Sequence, residues 1–599
     1  MTLFREEVLK AQFSEQVVIN VMSVLETVLL DMIHMERNGE IIDRSLVRAS
    51  VYMLEGLYDS YQEDETKKLY LTSFEPKFLE TSRVFYDKEG QSLVANGDAS
   101  VFCSSAHRRL SEEEERCQQT LSQATESKIK AIIDKELIGR HIRSIINMEG
   151  TGVRNMLDCE RVEDLANLYI LNSRVDARKT ALKEAIQKRV IELGSDINQA
   201  ALPMPSPPSS TSGKPAQERP INHQTVSAIT WVEAVLDLKF KYDRLWERAF
   251  QKDPVMEKAL EASFQDFINN NSRSSEHLSL FLDDHLKKGV KGNTDMEIDA
   301  LLDKGITLLQ YVSDKDLFET YYKKHLSRRL LMKKSASTDV ERQMISKMKM
   351  KVGNTFTQRL EAMLRDMSVS DDLNGQYKEY VAKLGDKDPE RVEIEASILT
   401  TTIWPIDSLF RGNGQDGTGR NLVYPPAIER ARKRFEKFYL DKHSGRALSW
   451  QGGMGTADIR TTFRKANGKV IRHELNVSTY AMLILSLYQD LPSSEALTYE
   501  EIQARTNIPA HDLKRNLTSL AIAPKTRILR KEPMNKEVNQ TDRFYFNEEF
   551  TSNFVKVKVG VVTSNSNKVE NTEERRETQR RMDEERGLAV EAAIVRIMK

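Results

Sequence analysis

Two runs of basic residues are the features of this sequence that could bind a charged partner. Residues 321–334 read YYKKHLSRRLLMKK without an acidic residue, and residues 430–446 carry seven lysines or arginines against Glu436 and Asp441. Such runs attract acidic protein surfaces or nucleic-acid phosphates. The alternative for each run is a solvated helix face whose apolar residues pack inward. The candidate contacts for an acidic partner are Lys323, Lys324, Arg328 and Arg329.

The last nine residues form a second candidate feature. Residues 591–599 read EAAIVRIMK, a short amphipathic helix pattern that ends in the amine of Lys599. Taken alone, a lysine in this position is an ordinary cation at the end of a helix, where it complements the helix dipole. The composition of the tail therefore predicts a helix and no specific chemistry.

Motifs of known catalytic centres do not occur in the sequence. It contains no P-loop, no G-x-S-x-G, no H-E-x-x-H and no cysteine and histidine at nucleophile spacing. His325 and His443 lie among lysines and arginines, where a solvated basic face is expected. The three cysteines are neither closely paired nor flanked by histidines, which predicts neither a disulfide framework nor a zinc site. We therefore expect a non-catalytic protein without a metal or a cofactor.

The composition favours long solvated helices in a chain of several domains. The sequence has 599 residues, of which 30% are charged and 7% aromatic. Lysine plus arginine number 89 against 90 aspartates and glutamates, so no bulk attraction to nucleic acid or membrane is expected. The start, MTLFREEVLK, lacks the apolar core of a secretory peptide, and the longest apolar stretch is far shorter than a membrane span. These features predict a soluble protein of the cytoplasm and nucleus.

The first part of the chain has the periodicity of successive amphipathic helices. Apolar residues recur at helical spacing in Gln16–Met35 and in Trp231–Phe250. Ser111, with Glu114 three residues later, predicts a capping box that starts another helix. Short polar turns between helices indicate stacked helical repeats. The proline- and serine-rich residues 203–220 predict a disordered insertion, with a docking motif for a proline-reading domain as the alternative.

The second part changes from helices to mixed structure. Helical periodicity continues to about residue 385 and predicts a helix bundle. Val392, Ile394, Ile398 and Leu399 then lead into a β-branched run at 400–404, which predicts a strand, with further strands expected at 447–450 and 469–475. Between 476 and 546, three helices followed by a hairpin are expected, which is the order of a winged helix. Its third helix offers only Lys514 and Arg515 to a nucleic acid, which favours a packing role.

Several segments in a fixed order resemble the cullin family. They are NSRSSEHLSLFLDDHLKKGVKG at 271–292, YYKKHLSRRLL at 321–331, MISKMKMKVGNTFTQRLEAMLRDM at 344–367 and FYLDKHSGRALSW at 438–450. The tail IVRIMK is similar to the neddylation motif of cullins, and LSLFLDDHLKKGVKG is most similar to the cullin-3 group. The resemblance extends over most of the chain from about Gln16.

The resemblance implies a mainly α fold with an N-terminal rod and a C-terminal body. The expected regions are a remnant of the first cullin repeat (1–12), the second repeat (13–126), the third repeat with the insertion 203–220 (127–253), a four-helix bundle (254–387), a small α/β domain (388–475), a winged-helix-like segment (476–560), and a linker with the start of the neddylation helix (561–599).

The resemblance also implies a function, that of the non-catalytic scaffold of a cullin-RING ubiquitin ligase, which acts in protein degradation. A RING-box protein would add a strand to the α/β domain and recruit a ubiquitin-conjugating enzyme, which the basic runs would face. The far end of the rod would bind a BTB-domain adaptor that carries the substrate. Lys599 would receive a ubiquitin-like modifier through an isopeptide bond, and cullin exchange and deneddylation factors would act on the assembly. The candidate residues for the RING-box strand are Val392, Ile394 and Ile403.

The sequence departs from the family pattern at both ends. Only the last helix of the first repeat is expected, at Thr2–Lys10, so much of the adaptor surface would be missing. The winged helix that follows the acceptor lysine in cullins is absent, and a helix that ends at Lys599 should fray. We therefore expect Lys599 to be a weaker acceptor than in a chain that continues. The alternative functions are a helical-repeat nucleic-acid-binding protein, whose binding would weaken with salt, and an enzyme with an unrecognised site.

Overall fold

The computed structural model is mainly helical, as the composition predicts. It describes residues 4–9, 12–14, 17–58, 65–201, 223–288, 294–335, 337–385, 392–405, 422–464, 470–492, 494–524, 526–535, 537–560 and 572–599. The proposed insertion at 203–220 lies outside the described residues. The chain divides into two compact units: unit 1 is Met1–Ala200 with Ala234–Asn270, and unit 2 is Ala201–Glu233 with Asn271–Lys599.

Unit 1 consists of packed helices preceded by a short hairpin of strands β1 (Gln12–Ser14) and β2 (Val17–Asn20). π-Helical turns occur at Phe4–Leu9, Tyr70–Phe74 and Ile133–Gly139, and 3-10 turns at Glu65–Lys67 and Gln123–Thr125. The α-helices are α1 (Val21–Arg37), α2 (Arg44–Glu55), α3 (Glu75–Ala95), α4 (Ala99–Gln119), α5 (Glu126–Ile132), α6 (Ile142–Ile146), α7 (Val153–Asp158), α8 (Val162–Val175), α9 (Thr180–Ala200), the larger part of α10 (His223–Arg248) and α11 (Pro254–Asn270).

Two predicted helix starts in unit 1 are wrong. The helix predicted from Gln16 begins at Val21, because Asn20 is extended and its side chain accepts the backbone N–H of Ser23 at 2.8 Å. Ser111 starts no helix, since α4 runs through it. The cap of α4 is Asp98, whose carboxylate accepts the backbone N–H of Ser100 at 2.9 Å.

A buried ionic cluster joins α1, α3 and α4 within unit 1. Glu113 is fully buried, accepts hydrogen bonds from Arg37 Nε at 2.8 Å and from the Tyr86 hydroxyl at 2.5 Å, and contacts Arg116. Burial opposes ionisation of Glu113, but the two arginines outweigh it and lower its pKa to about 2. The carboxylate is therefore charged at neutral pH and paired with two arginines of its own chain through Oε1, whereas Oε2 is buried without a hydrogen bond.

Unit 2 begins with five helices after Asn270. They are α12 (Ser274–Lys288), α13 (Asp295–Tyr311), α14 (Lys315–Leu331), α15 (Thr338–Val352) and α16 (Asn354–Lys383). Pro254–Asn270, which was expected to belong to this bundle, groups with unit 1, where α11 packs on α9. The division into two compact units therefore places Pro254–Asn270 apart from the five helices after Asn270, while the predicted bounds of the repeats and the bundle stay a prediction.

The mixed part of unit 2 contains two three-stranded sheets. Its elements are α17 (Pro426–Lys442), β3 (Thr456–Arg464), β4 (Val470–Ser478), α18 (Thr479–Ser486), β5 (Leu497–Thr498), α19 (Tyr499–Thr506), α20 (Ala510–Leu517), β6 (Leu529–Glu532), β7 (Arg543–Phe546), β8 (Lys556–Lys558) and α21 (Thr572–Met598). One sheet has the order β3-β4-β8, with β3 and β4 antiparallel and β8 parallel to β4. The other has the order β5-β7-β6.

The predictions for this part have mixed outcomes. The strand at 469–475 is confirmed as β4, and three helices followed by the β6–β7 hairpin are present in the predicted order. The strand predicted at 447–450 is wrong, since these residues have no regular structure. Because β8 pairs with β4, the expected boundary at 475 divides a single sheet. No helix among the described residues is long and apolar enough to cross a membrane.

Candidate partner-binding site

An extended segment that pairs with none of the described strands follows α16. Residues 392–399 are here called the edge segment, and within it the exposure of residues 393–398 alternates with the period of two that is typical of a β-strand. The half-buried positions are Ile394, Ala396 and Ile398. The exposed positions between them are Glu393, Glu395 and Ser397.

Side chains of α16 take the place of a neighbouring strand along one edge of this segment. The Asn374 side-chain oxygen accepts the backbone N–H of Ala396 at 2.9 Å, and its Nδ2 donates to the Ala396 carbonyl at 3.0 Å. Four residues earlier on the helix, Ser370 Oγ accepts the backbone N–H of Ile398 at 2.8 Å. The backbone of alternate residues is thus satisfied by the helix.

The far end of the segment is fixed by one carboxylate and one indole. Asp366 Oδ2 accepts the backbone N–H of Thr400 and the Nε1–H of Trp404, each at 2.9 Å. Trp404 is buried, and the chain turns between these two residues, where the Trp404 N–H donates to the Thr400 carbonyl at 3.1 Å. Asp366, Ser370 and Asn374, here called the polar stripe, lie on one face of α16 because they are four residues apart.

The other edge of the segment has no partner among the described residues and is here called the open edge. Both backbone groups of a strand residue point to one edge, and those of the next residue point to the opposite edge. Since Ala396, Ile398 and Thr400 face the polar stripe, Ser397 and Leu399 face away from it. Within the part of the chain that the structure describes, no hydrogen bond joins the backbone of Ser397 or Leu399 to another residue.

The predicted strand from Val392 to Trp404 is therefore wrong as part of a sheet, although its first half is extended. The reason is that no strand of the described chain pairs with it, and the residues after Leu399 form a turn. Of the three residues assigned to the RING-box strand, Val392 is exposed and Ile394 half-buried on the edge segment. Ile403 lies in the turn, where its N–H donates to the Thr400 carbonyl at 3.0 Å.

The first basic run lies on α14, and one of its four candidate cations is buried. Arg329 has no exposed side-chain surface and forms two hydrogen bonds to Glu341, at 2.7 and 2.9 Å. Its third bond goes to Asp283 Oδ1 at 2.7 Å. Arg329 therefore cannot contact an acidic partner, because carboxylates of its own chain already enclose it. The buried Tyr322 and Leu326 confirm the inward apolar face of this run.

The other three candidate cations of this run are partly accessible to solvent. Lys323, Lys324 and Arg328 are half-buried. Burial and the nearby Arg359 lower the pKa of Lys323. The expectation of a solvated basic face is wrong for His325, whose burial lowers its pKa to about 3 and keeps it neutral, with Nδ1 3.5 Å from Asp283.

The second basic run forms an exposed stripe on α17 and the turn after it. Positions three and four residues apart face the solvent, while Phe435 and Phe438 are buried on the other side. This run is therefore equally consistent with a solvated helix face and with a binding surface for an acidic partner. The exposed cations are Arg430, Lys433, Lys437, Lys442 and Arg446.

The helix that carries Lys599 is docked only along its first half. Met582 is buried against Leu317 and Tyr321 of α14. One turn later, Arg586 forms ion pairs with Asp314 and Asp316, each at 3.2 Å. The docked part of α21 thus ends at Arg586.

From Gly587 onward every residue of α21 is exposed, and so is Lys599. A Cβ at Gly587 would meet nothing within 4 Å, so no contact requires glycine there. Apolar side chains along this part remain in solvent, for example Ile594 at 54% exposure and Ile597 at 83%. The Lys599 side chain is exposed, and its backbone N–H donates to the Val595 carbonyl at 3.1 Å.

Sequence reasoning missed the polar stripe. Aspartate, serine and asparagine are common on the solvated face of a helix, so these residue types alone do not indicate that they bind a neighbouring backbone. The available signal was their spacing at 366, 370 and 374, immediately before an extended run whose alternate residues need backbone partners. Among the described residues, no group of three or more histidines, cysteines or carboxylates is placed to hold a metal ion.

Comparison with known proteins covers both units. Residues 1–374 match the family model of the cullin alpha solenoid domain, and residues 398–550 match that of the cullin alpha+beta domain. Cullin-3A of Arabidopsis thaliana is 38% identical over 576 residues, which are 95% of this chain and 71% of the relative. Cullin-3 of Schizosaccharomyces pombe is 35% identical over 591 residues, 98% of this chain and 72% of the relative.

The chain belongs to the cullin family, whose members are scaffold subunits of ubiquitin ligase complexes. Human cullin-4A is 32% identical over 572 residues, 95% of this chain and 67% of the relative. The chain is thus more similar to the cullin-3 proteins than to this cullin-4A. The family assignment does not favour the nucleic-acid-binding alternative.

Proposed function

We propose that this chain holds a RING-box protein and its ubiquitin-conjugating enzyme near a substrate bound through a BTB-domain adaptor. The observation that carries the proposal is the open edge at Ser397 and Leu399 in a member of the cullin family. An extended peptide can add to such an edge, because its backbone supplies the missing hydrogen-bond partners. The edge segment therefore suits the strand that a RING-box protein is expected to contribute.

The mechanism of such a scaffold is proximity. Two bound reactants react faster because the second encounter takes place within one complex, at a raised effective concentration. The exposed cations of α17 would attract an acidic surface of the conjugating enzyme, which speeds association more than it tightens the complex. No group of this chain needs to take part in bond formation during transfer of ubiquitin to the substrate.

Lys599 adds a second, covalent element to the proposal. Its amine would attack the activated C-terminal carbonyl of a ubiquitin-like modifier, forming an isopeptide bond while the carrier thiol leaves. The exposure of Lys599 at the end of an undocked helix supports this role. Exchange and deneddylation factors would then act on the free and the modified scaffold respectively.

The role of the open edge in binding can be tested by removing a single backbone N–H donor. We expect Ser397→Pro to weaken binding of a co-expressed RING-box protein at least tenfold, because proline removes an outward N–H and its ring obstructs the incoming strand. The measurement is the stoichiometry of the complex after size exclusion, followed by its dissociation constant in solution.

The matched control is Ser397→Ala, which changes the same side chain and keeps the donor. It should bind within about twofold of the wild type, since only the exposed hydroxyl is lost. Equal binding by the proline and alanine variants, with circular dichroism showing both folded, would mean that the strand adds elsewhere.

A further inference from the structure

The polar stripe matches the edge segment in length as well as in chemistry. Four residues of an α-helix rise about 6.0 Å, and two residues of an extended strand rise about 6.6 Å. Three successive side chains of the helix can therefore bond to three alternate backbone N–H groups of the segment. The observed pairs are 366 with 400, 370 with 398 and 374 with 396. The order is antiparallel, because the helix number rises while the segment number falls.

Asn374 reproduces the bonding of a neighbouring strand most completely. It exchanges two hydrogen bonds with Ala396, one in each direction, as paired residues of an antiparallel ladder do. Ser370 Oγ accepts the backbone N–H of Ile398 and lies 3.3 Å from the Ile398 carbonyl, while its shorter bond is donated within α16 to the Asp366 carbonyl at 2.7 Å. The stripe thus occupies one edge without a strand.

Because the polar stripe occupies one edge of the edge segment, only the opposite edge is left for a partner. A shift of the segment by one residue would turn Ala396 and Ile398 to the open side and expose the half-buried face. The inward side chains oppose this shift, since Ala396 and Ile398 pack on a cluster that contains Tyr377 and Phe438. The segment is therefore fixed in conformation, register and orientation before any partner arrives.

We propose that Asp366, Ser370 and Asn374 are positioning residues for strand addition. They hold the edge segment extended in the free chain, so that binding does not have to order it. Ordering a backbone costs about 1 kcal/mol or more per residue, and pre-organisation removes that cost from the binding step. The consequence for binding rests on the proposed function, whereas the ordering of the free chain does not.

Hydrogen exchange of the free chain tests the ordering. We expect the amides of Ala396, Ile398 and Thr400 to exchange at least tenfold more slowly than those of Ser397 and Leu399. The variant Asn374→Leu, which keeps the size of the side chain, should speed exchange at Ala396 about tenfold. Uniform exchange along the wild-type segment would overturn the proposal whatever the partner does.

Binding kinetics test the consequence for the partner. We expect Asn374→Leu and Ser370→Ala each to lower the association rate constant with a RING-box protein about five- to tenfold. The dissociation rate constant should change less, because only the free chain loses order. The control Asp372→Ala removes an exposed polar group from the same helix and should leave both rate constants unchanged.

The possible outcomes separate the two proposals. Wild-type binding with unchanged association rates in both folded stripe variants would overturn the positioning role and leave the proposed function standing. Alternating exchange in a wild-type chain that binds no RING-box protein would contradict the proposed function and retain the ordering. Ser370→Ala removes a single small group, so it remains informative if Asn374→Leu does not fold.

Discussion

Replacing Lys599 by arginine should abolish attachment of a ubiquitin-like modifier to this chain. Arginine keeps the positive charge, but its guanidinium does not lose a proton near neutral pH and cannot act as the amine nucleophile. Lys599 is the only lysine between residues 572 and 599, so no neighbouring amine of α21 can replace it. The measurement is an in vitro reaction with the modifier and its conjugating enzymes, followed by mass spectrometry of the attachment site.

The control for this substitution is Lys558→Arg, at an exposed position of β8. It should be modified as fast as the wild type, because it removes an amine that the proposal does not use. Full modification of the Lys599→Arg variant would show that another lysine is the acceptor.

The second large effect is expected from Arg329→Ala, which should destabilise unit 2 by about 3–5 kcal/mol. The substitution leaves Glu341, with no exposed side-chain surface, without the cation that it pairs with, whereas Asp283 keeps its ion pair with Lys287. Burial of an uncompensated carboxylate costs far more than the loss of a surface ion pair. The measurement is the urea dependence of protection in peptides from α12, α14 and α15, because a chain of two units need not unfold in one step.

A nearby ion pair on the surface serves as the control for the buried cluster around Arg329. Lys333 is 79% exposed at its side chain and lies 3.4 Å from Glu395. Its replacement by alanine should change the stability of unit 2 by less than about 1 kcal/mol. Equal effects of Arg329→Ala and Lys333→Ala would contradict the role given to the buried cluster.

The burial of Arg329 could be predicted from the sequence, whereas the carboxylates that pair with it could not. In a helix, positions 322, 326 and 329 lie on one side, and two of them are Tyr322 and Leu326, which pack inward. Arg329 thus falls on the apolar face while Arg328 does not. The carboxylates that make its burial tolerable come from Asp283 and Glu341 on other helices, and a local pattern does not indicate such tertiary contacts.

The edge segment shows a different limit. The β-branched run at 400–404 predicted a strand but forms a turn, and the extended residues are 392–399 before it. A strand, however, is defined by its hydrogen-bonded neighbour, and here helix side chains fill one edge while no described residue pairs with the other. Sequence patterns indicate which residues favour an extended backbone but not whether a second strand is present in the same chain.

The family motifs predicted more about the candidate site than composition and periodicity did. The tail ending in Lys599 indicated nothing specific by itself, and its resemblance to the cullin motif supplied the expected chemistry. The docking of α21 through Met582 and Arg586 had no sequence signal, because single contacts of this kind depend on where α14 lies. The exposure of the helix after Gly587 was likewise visible only in the structure.

The central claim is that this chain brings a conjugating enzyme to a substrate through a RING-box protein. The most direct measurement is co-purification of the chain with a RING-box protein, followed by an assay for ubiquitin chains with a charged conjugating enzyme. We expect a stoichiometric complex that speeds ubiquitin transfer well above the rate of the conjugating enzyme alone. A chain that forms no complex, or a complex that leaves the transfer rate unchanged, would contradict the account.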